Sequence, residues 1–351
     1  MTMPRFDSTL LKALAATLFV GAVGGFVFDR IDVPAAWLSG SMVAVALASL
    51  AGMPSAFPNR LRDGMFILLG MMMGAGVTPE TVERIGDWPA SMAMLALVVV
   101  AVTGATYAFL HGVAKWPRET AYFSAIPGAL SFVIALASER SADLPKIAAS
   151  QTVRLFFLVA ILPALIVGTE PMPSLATAPA TLPPWYELGA AFLACFAGSI
   201  VAIRLNVPGG WLTGAFFVSA ALNASGLTHT MPPETVLIAC YIGLGSMIGT
   251  RFSGTTVAMF VRLVLASIGA FVVGILVSVA GAWLIAVWLN LPFGQVLLAY
   301  APGGLEVMTL LAFMLDLDPA FVAAHQLARY VVLVLILPAA TLAIIGRAPR
   351  R

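Results

Sequence analysis

The sequence predicts an all-α protein: a multi-pass transmembrane helical bundle of two tandem, inverted repeats whose helices are interrupted at Pro-Gly. Three observations carry this. The composition is too poor in charge to face water, the apolar runs are of membrane length, and a series of motifs recurs at a nearly fixed offset. Hydrophobic residues make up 61% of the 351 and charged residues 10%, with a mean hydropathy of +1.01. A soluble domain carries roughly 25% charged residues, so this chain has too few to cover a water-facing globule. Ala90 to Leu110 is uncharged over 21 residues and Leu263 to Leu289 over 27. About 20 apolar residues cross a hydrocarbon core of roughly 30 Å. Gly and Pro inside such runs suit membrane helices, whose neighbours satisfy the freed backbone groups. Runs this long exclude a transmembrane barrel, whose strands alternate over about ten residues. The first run, Leu10 to Phe28, ends at Phe28-Asp29-Arg30 without a small-residue cleavage site and has a counterpart mid-chain. It therefore reads as a retained helix and not as a signal peptide.

The repeat is read from particular residues. Pro34-Ala35-Ala36-Trp37-Leu38-Ser39-Gly40 is echoed by Pro208-Gly209-Gly210-Trp211-Leu212-Thr213-Gly214 at an offset of 174. Gly24 and Val27 match Gly198 and Val201 at the same offset. After one inserted residue the register holds at 175: Gly70, Met72 and Gly74 match Gly245, Met247 and Gly249, and Pro127-Gly128 matches Pro302-Gly303. Asp143, Gln151 and Arg154 match Asp318, Gln326 and Arg329, and Ile161 to Ala164 matches Ile336 to Ala339. General hydrophobicity would not keep Pro, Trp, Gln and Arg in register over such a length. The repeats are placed at 9–169 and 186–346, joined by a linker at 170–185 that is rich in Pro, Ala and Thr and free of Lys and Arg.

Each half contains five clear spans and one element interrupted at Pro127 or Pro302. If that element crosses, the chain has twelve spans and parallel repeats; if it re-enters, ten spans and inverted ones. Basic residues favour the cytoplasmic side. Setting aside Arg154 and Arg329, which lie within spans, the ten-span arrangement places fourteen of the remaining sixteen Lys and Arg inside, against nine for the twelve-span one. We therefore read the repeats as inverted, with both termini cytoplasmic. Inverted repeats with broken helices are common among secondary transporters, whose binding sites lie near the midplane between repeats.

Candidate site residues follow from these interruptions. Pro127 and Gly128, and Pro302, Gly303 and Gly304, read as tips or breaks, since proline removes a helix hydrogen bond and glycine permits close approach. Amides at the following half-helix start favour an anion; the plainer reading is a structural kink. Arg154 and Arg329 sit near mid-span, where an arginine is costly and faces the bundle interior or a cavity. Gln151 and Gln326 precede them by three residues, on the same face. A guanidinium fork suits a carboxylate or similar anion. Equally open is internal neutralisation, in which Arg329 pairs with Glu306 or both arginines hold carbonyls freed by Pro163 and Pro338. Glu306 (Ser131 in the other repeat) and His325 are coupling candidates for a proton or cation, with a fixed counter-ion and a hydrogen-bonded structural histidine as the alternatives. The two Gly-x-x-x-Gly pairs fit close helix packing.

Other chemistry finds little footing. The three histidines (His111, His229 and His325) stand on separate segments, and Cys195 and Cys240 read as small apolar-stretch residues. No metal or other cofactor is called for. There is no phosphate loop, dinucleotide fingerprint or nucleophile elbow. The expectation is no enzymatic activity and no nucleic-acid partner.

In combination, the duplicated Pro-x-x-Trp-Leu-x-Gly, the Pro-Gly-Gly-Leu of the second half and the Gln-x-x-Arg before a Leu-Pro resemble the AbrB-type integral membrane family over essentially the whole chain. That resemblance implies a bacterial inner-membrane protein with a duplicated domain, from a family labelled as regulators of gene expression or ammonia monooxygenases. The chain departs from the family pattern in two places. The first copy reads Pro127-Gly128-Ala129-Leu130, without the second glycine. In the second copy Val307 stands where the family's acid precedes the methionine, with Glu306 one residue earlier, about 100° around a helix. His325-Gln326-Leu327-Ala328-Arg329 fits well. The resulting expectation is a transporter-like protein that moves or senses a small anionic metabolite in the lipid bilayer, homo-oligomer formation being left open. The alternatives are a membrane regulator acting through a partner and, with less support, a metal-dependent oxygenase.

Overall fold

The computed structural model describes residues 8–77, 84–128, 130–168, 184–225, 232–255 and 257–346. Among the described residues there are fourteen α-helices: α1 (Ser8–Arg30), α2 (Ala36–Leu50), α3 (Asn59–Ala75), α4 (Trp88–Ala108), α5 (Arg118–Ala125), α6 (Leu130–Ser138), α7 (Leu144–Val167), α8 (Trp185–Arg204), α9 (Gly210–Ala224), α10 (Glu234–Gly249), α11 (Val257–Leu289), α12 (Phe293–Tyr300), α13 (Leu305–Met314) and α14 (Pro319–Ile344). A π-helical turn, Phe109–Val113, extends α4. The described residues contain no strand. Among the described residues seven helices are long and apolar enough to cross a membrane, namely α1, α4, α7, α8, α10 with the 3-10 turn that extends it to Phe252, α11 and α14. The chain is thus a multi-pass helical membrane protein. α2, α3 and α9 are shorter, at 15, 17 and 15 residues.

The helices gather into two compact units that do not follow the two halves of the sequence. Among the described residues one unit holds α1–α3, α8–α10 and the last turns of α7, and the other holds α4–α6, the rest of α7, nearly all of α11, and α12–α14. The linker at 170–185 lies almost wholly outside the described residues.

In the first unit, glycine decides which helices touch. A Cβ on Gly70 or Gly74 of α3 would run into the backbone of α9 at Leu212, Phe216 and Ala220, and one on Gly245 or Gly249 of α10 into α2 at Leu38, Met42 and Ala46. Only glycine lets backbones approach so closely. Leu38 and Met42 are the positions that answer to Leu212 and Phe216 at the offset of 174, so the two crossings use corresponding residues. Serine hydroxyls then tie backbone across helices, Ser41 donating to Gly21 O at 2.8 Å, Ser199 to Trp211 O at 2.8 Å and Ser219 to Met71 O at 2.6 Å. In a medium without water every such group needs a partner of this kind.

The turns into α2 and α9 also correspond. Ala35 caps α2 at φ 55°, ψ 37°, and Gly209 caps α9 at φ 62°, ψ 30°. A left-handed alanine costs roughly 1–2 kcal/mol, part of which glycine returns through its freer unfolded chain. Ala35→Gly is therefore expected to stabilise the protein by about 0.5–1 kcal/mol, seen as a small rise in the thermal unfolding midpoint in detergent.

In the second unit the two long helices α7 and α14 start on aspartate caps. Asp318 accepts from Ala320 N and Phe321 N at 2.8 and 3.2 Å, and Asp143 from Lys146 N at 3.0 Å. α5 and α6 form a helical hairpin broken at Ile126-Pro127-Gly128. Arg118, which opens the hairpin, donates to Ile344 O, and Arg140, just past its end, donates to Gly346 O at 2.9 Å. Both ends of the hairpin therefore lie at the C-terminal end of α14.

Candidate functional site

An eight-residue helix such as α5 or α12 leaves half its carbonyls without an intrahelical donor, and the following proline cannot supply one. The sequence meets this need from a second helix. In α7 and α14 alike the arginine is the eleventh residue, about 15 Å from the helix start, with the glutamine one turn earlier. Side chains on a helix lean toward its N-terminus, and in both halves the pair reaches back to the carbonyls of a break.

At the first break Gln151 Nε2 donates to Phe123 O at 3.4 Å and Arg154 Nη2 to Ile126 O at 3.2 Å. At the second, Gln326 Nε2 donates to Leu298 O at 2.9 Å and Ala299 O at 3.2 Å, while Arg329 holds Ala301 O through Nη1 at 2.6 Å and Gly303 O through Nη2. Phe123 and Leu298, Ile126 and Ala301, are corresponding residues at the offset of 175. Both arginines are buried, at 8% and 4% exposure. Neither forms an ion pair with a carboxylate among the described residues, where the ion pairs are Arg62–Asp63 and Lys146–Asp143. Arg329 thus does not pair with Glu306, and the carbonyls that the arginines hold are those of the Pro-Gly breaks, not those freed by Pro163 and Pro338.

The two breaks meet. Gly128, at φ 81°, presents its Cα so closely that a Cβ there would lie 3.3 Å from Arg329 Nη2 and 3.7 Å from Gly303 O. The structure therefore gathers Gly128, Gly303, Arg329 and the carbonyls of Ala301 and Gly303 into one locus, with Arg154 one break away on Ile126. Gly304 caps α13 in an extended conformation (φ −85°, ψ 146°) without a side-chain partner. Pro127 and Pro302 stand inside these turns.

The coupling candidates divide. Glu306 is half-buried in the first turn of α13, where a helix N-terminus favours an acid, and its Oε2 comes 3.5 Å from where a Cβ of Gly304 would be. His325 is fully buried; its Nδ1 lies 2.8 Å from Phe321 O and its ring stacks on Phe321 with centroids 3.9 Å apart. A carbonyl only accepts, so Nδ1 carries the proton. Nε2 has no hydrogen-bond partner among the described residues. Trp88 and Tyr300 complete its aromatic surround, at 6.3 and 6.4 Å between centroids.

Two supporting residues carry no sequence signature. Ser278 Oγ donates to Tyr300 O at 3.3 Å, and the Tyr300 hydroxyl donates to Ser91 O at 2.6 Å. Among the described residues no three His, Cys, Asp or Glu side chains group as metal ligands. Cys195 and Cys240 are buried and unpaired.

Comparison with known proteins covers nearly the whole chain. The sequence model of the family described as "Transition state regulatory protein AbrB" matches residues 37–344. The chain is 26% identical to "Putative regulator AbrB" of Escherichia coli (strain K12), with 99% of each chain covered. It is 23% identical to "Uncharacterized protein YhjN" of Bacillus subtilis (strain 168), over 95% of this chain and 93% of that one.

Proposed function

The chain belongs to the AbrB family, and from that premise we propose that it is a secondary-transporter-like protein of the bacterial inner membrane that moves or senses a small anionic metabolite. One observation carries the reading: two buried arginines, each fastened to a broken helix and neither paired with a carboxylate among the described residues. A charged side chain at mid-membrane depth is costly and marks a functional path. Five N–H groups fork from each guanidinium, and among the described residues Arg154 uses one of them on protein and Arg329 two. The remaining donors and the half-helix start of α6, which has no acid in its first turn, suit an anion.

Inverted repeats belong to the same proposal. The corresponding glycine crossings, the caps at Ala35 and Gly209, and the repeated hold of Gln and Arg on carbonyls 28 residues earlier support the duplication. The shared location of Arg118 and Arg140 at the end of α14 supports re-entry of the first Pro-Gly element, hence ten spans with both termini cytoplasmic. Exposed Ser141, just past Arg140, is the place to check this. Ser141→Cys is expected to resist a membrane-impermeant maleimide applied to intact cells and to react in inside-out vesicles. Labelling from the periplasm would return the twelve-span arrangement. Background reaction should be small, since Cys195 and Cys240 are buried.

The activity itself is tested by thermal unfolding of the purified protein against a panel of mono- and dicarboxylates, phosphate and sulfate, with neutral sugars as controls. A ligand at 100 times its Kd stabilises by about 2.7 kcal/mol. A shift confined to one anion class supports a carrier or sensor of that class. No shift with any anion sinks the reading and favours a regulator that acts through a partner protein, a regulatory role being what the name of the E. coli relative suggests.

A further inference from the structure

In transporters with broken helices, the carbonyls at the C-terminal end of the first half-helix are a usual seat for a coupling cation. In the second half of this chain those carbonyls already have donors. Leu297 O accepts from Ala301 N at 2.8 Å, Leu298 O and Ala299 O from Gln326, Tyr300 O from Ser278, and Ala301 O from both Gly303 N and Arg329. Gly303 O accepts from Arg329 as well. The positive charge that the negative end of α12 attracts is thus supplied by a guanidinium tethered on α14. Arg154 on α7 stands in the same relation to α5 through Ile126 O.

We infer that Arg329, and Arg154 with it, is a built-in substitute for a coupling cation, so that the site works without bound sodium or any other inorganic cation. The inference rests on the carrier reading and specifies its energetics. An inorganic cation must be captured from solution in each cycle at a cost in translational freedom; a tethered one is already in place. A cation site also needs several unpaired oxygens, and the second break offers its own to Arg329, Gln326 and Ser278. Any electrochemical driving force then has to enter through the anion itself or through a proton.

The test needs no identified substrate. Wild-type protein in detergent is expected to unfold at the same temperature, within about 1 °C, in chloride salts of sodium, lithium, potassium and choline at equal ionic strength, because a cation that does not bind shifts nothing. Arg329→Ala, which also opens a cavity, is expected to unfold about 5 °C lower or more. Millimolar guanidinium chloride, far below denaturing levels, should restore at least half of that loss saturably, whereas urea and tetramethylammonium should not. Saturable stabilisation of the wild type by sodium or lithium would overturn the inference. So would a folded Arg329→Ala protein that ignores guanidinium. If that variant does not fold, Arg154→Ala, which releases one described hydrogen bond, takes the same titration. If neither folds, the wild-type salt series decides alone. The anion panel separates the two claims: anion binding that requires sodium keeps the carrier and sinks the substitute cation, while guanidinium rescue without any anion response does the reverse.

Discussion

Arg329→Met is expected to leave a folded protein that no longer responds to any anion. Two stability terms oppose each other at this position. Removing the guanidinium deprives Gly303 O of its donor and weakens the environment of Ala301 O, which keeps Gly303 N as a partner. A buried acceptor left without a donor costs about 1–3 kcal/mol. Against this, a charged side chain near mid-membrane costs about 2.5–3.5 kcal/mol on insertion scales, a cost that methionine does not carry. Methionine also fills much of the same space, so little cavity is added. The terms nearly cancel, and the unfolding midpoint should stay within about 5 °C of the parent. If the arginine gives the fold so little net stability, its presence is explained by what it binds. The check is the anion panel on parent and variant side by side. Retention of the parental anion shift would make Arg329 a structural brace for the break, and outright failure to fold would show that the carbonyl term had been underestimated.

This balance also shows what could be read from the sequence and what could not. The distance from Pro127 to Arg154 equals that from Pro302 to Arg329, so a shared geometry was legible from spacing alone. The partner was not. Two competing partners for the arginines stood open, and the structure takes neither. Pro163 and Pro338 free the carbonyls of Val159 and Val334, each five residues beyond the arginine in its own helix. Helical side chains lean the other way, toward the N-terminus, so those carbonyls were the wrong ones to consider. Glu306 was placed by sequence near Arg329, but one residue of offset turns a helical side chain by about 100°, and no ion pair forms. Composition and run length sufficed for a helical membrane bundle. They did not give the partition into compact units, because Gly-x-x-x-Gly states that a backbone comes close without stating whose. α3 packs on α9 and α10 on α2, so elements far apart in the chain share a unit. Ser278 and Tyr300 were invisible for a related reason: a lone hydroxyl in an apolar run has no pattern, and its role depends on which carbonyl tertiary packing brings to it.

The last prediction isolates the meeting of the two breaks. Gly128 and Gly254 have nearly the same positive φ, 81° and 78°. Replacing either by alanine should cost backbone strain of the same order, roughly 1–2 kcal/mol, reduced by the stiffer unfolded chain. Their surroundings differ. A Cβ on Gly254 meets nothing within 4 Å, whereas one on Gly128 comes 3.3 Å from Arg329 Nη2. That separation is tighter than an ordinary van der Waals contact, and the guanidinium, held on Ala301 O and Gly303 O, has little room to give. Gly254→Ala is therefore expected to lower the unfolding midpoint slightly and keep the full anion shift. Gly128→Ala should lose about 1 kcal/mol more, at the low end of overpacking costs, and lose most of the anion shift, because the methyl group displaces the charge that the anion would meet. The two positions match in φ and differ in the contact. Equal losses with equal anion shifts would mean that Gly128 serves only its own turn, and the functional reading would then have to rest on each break separately.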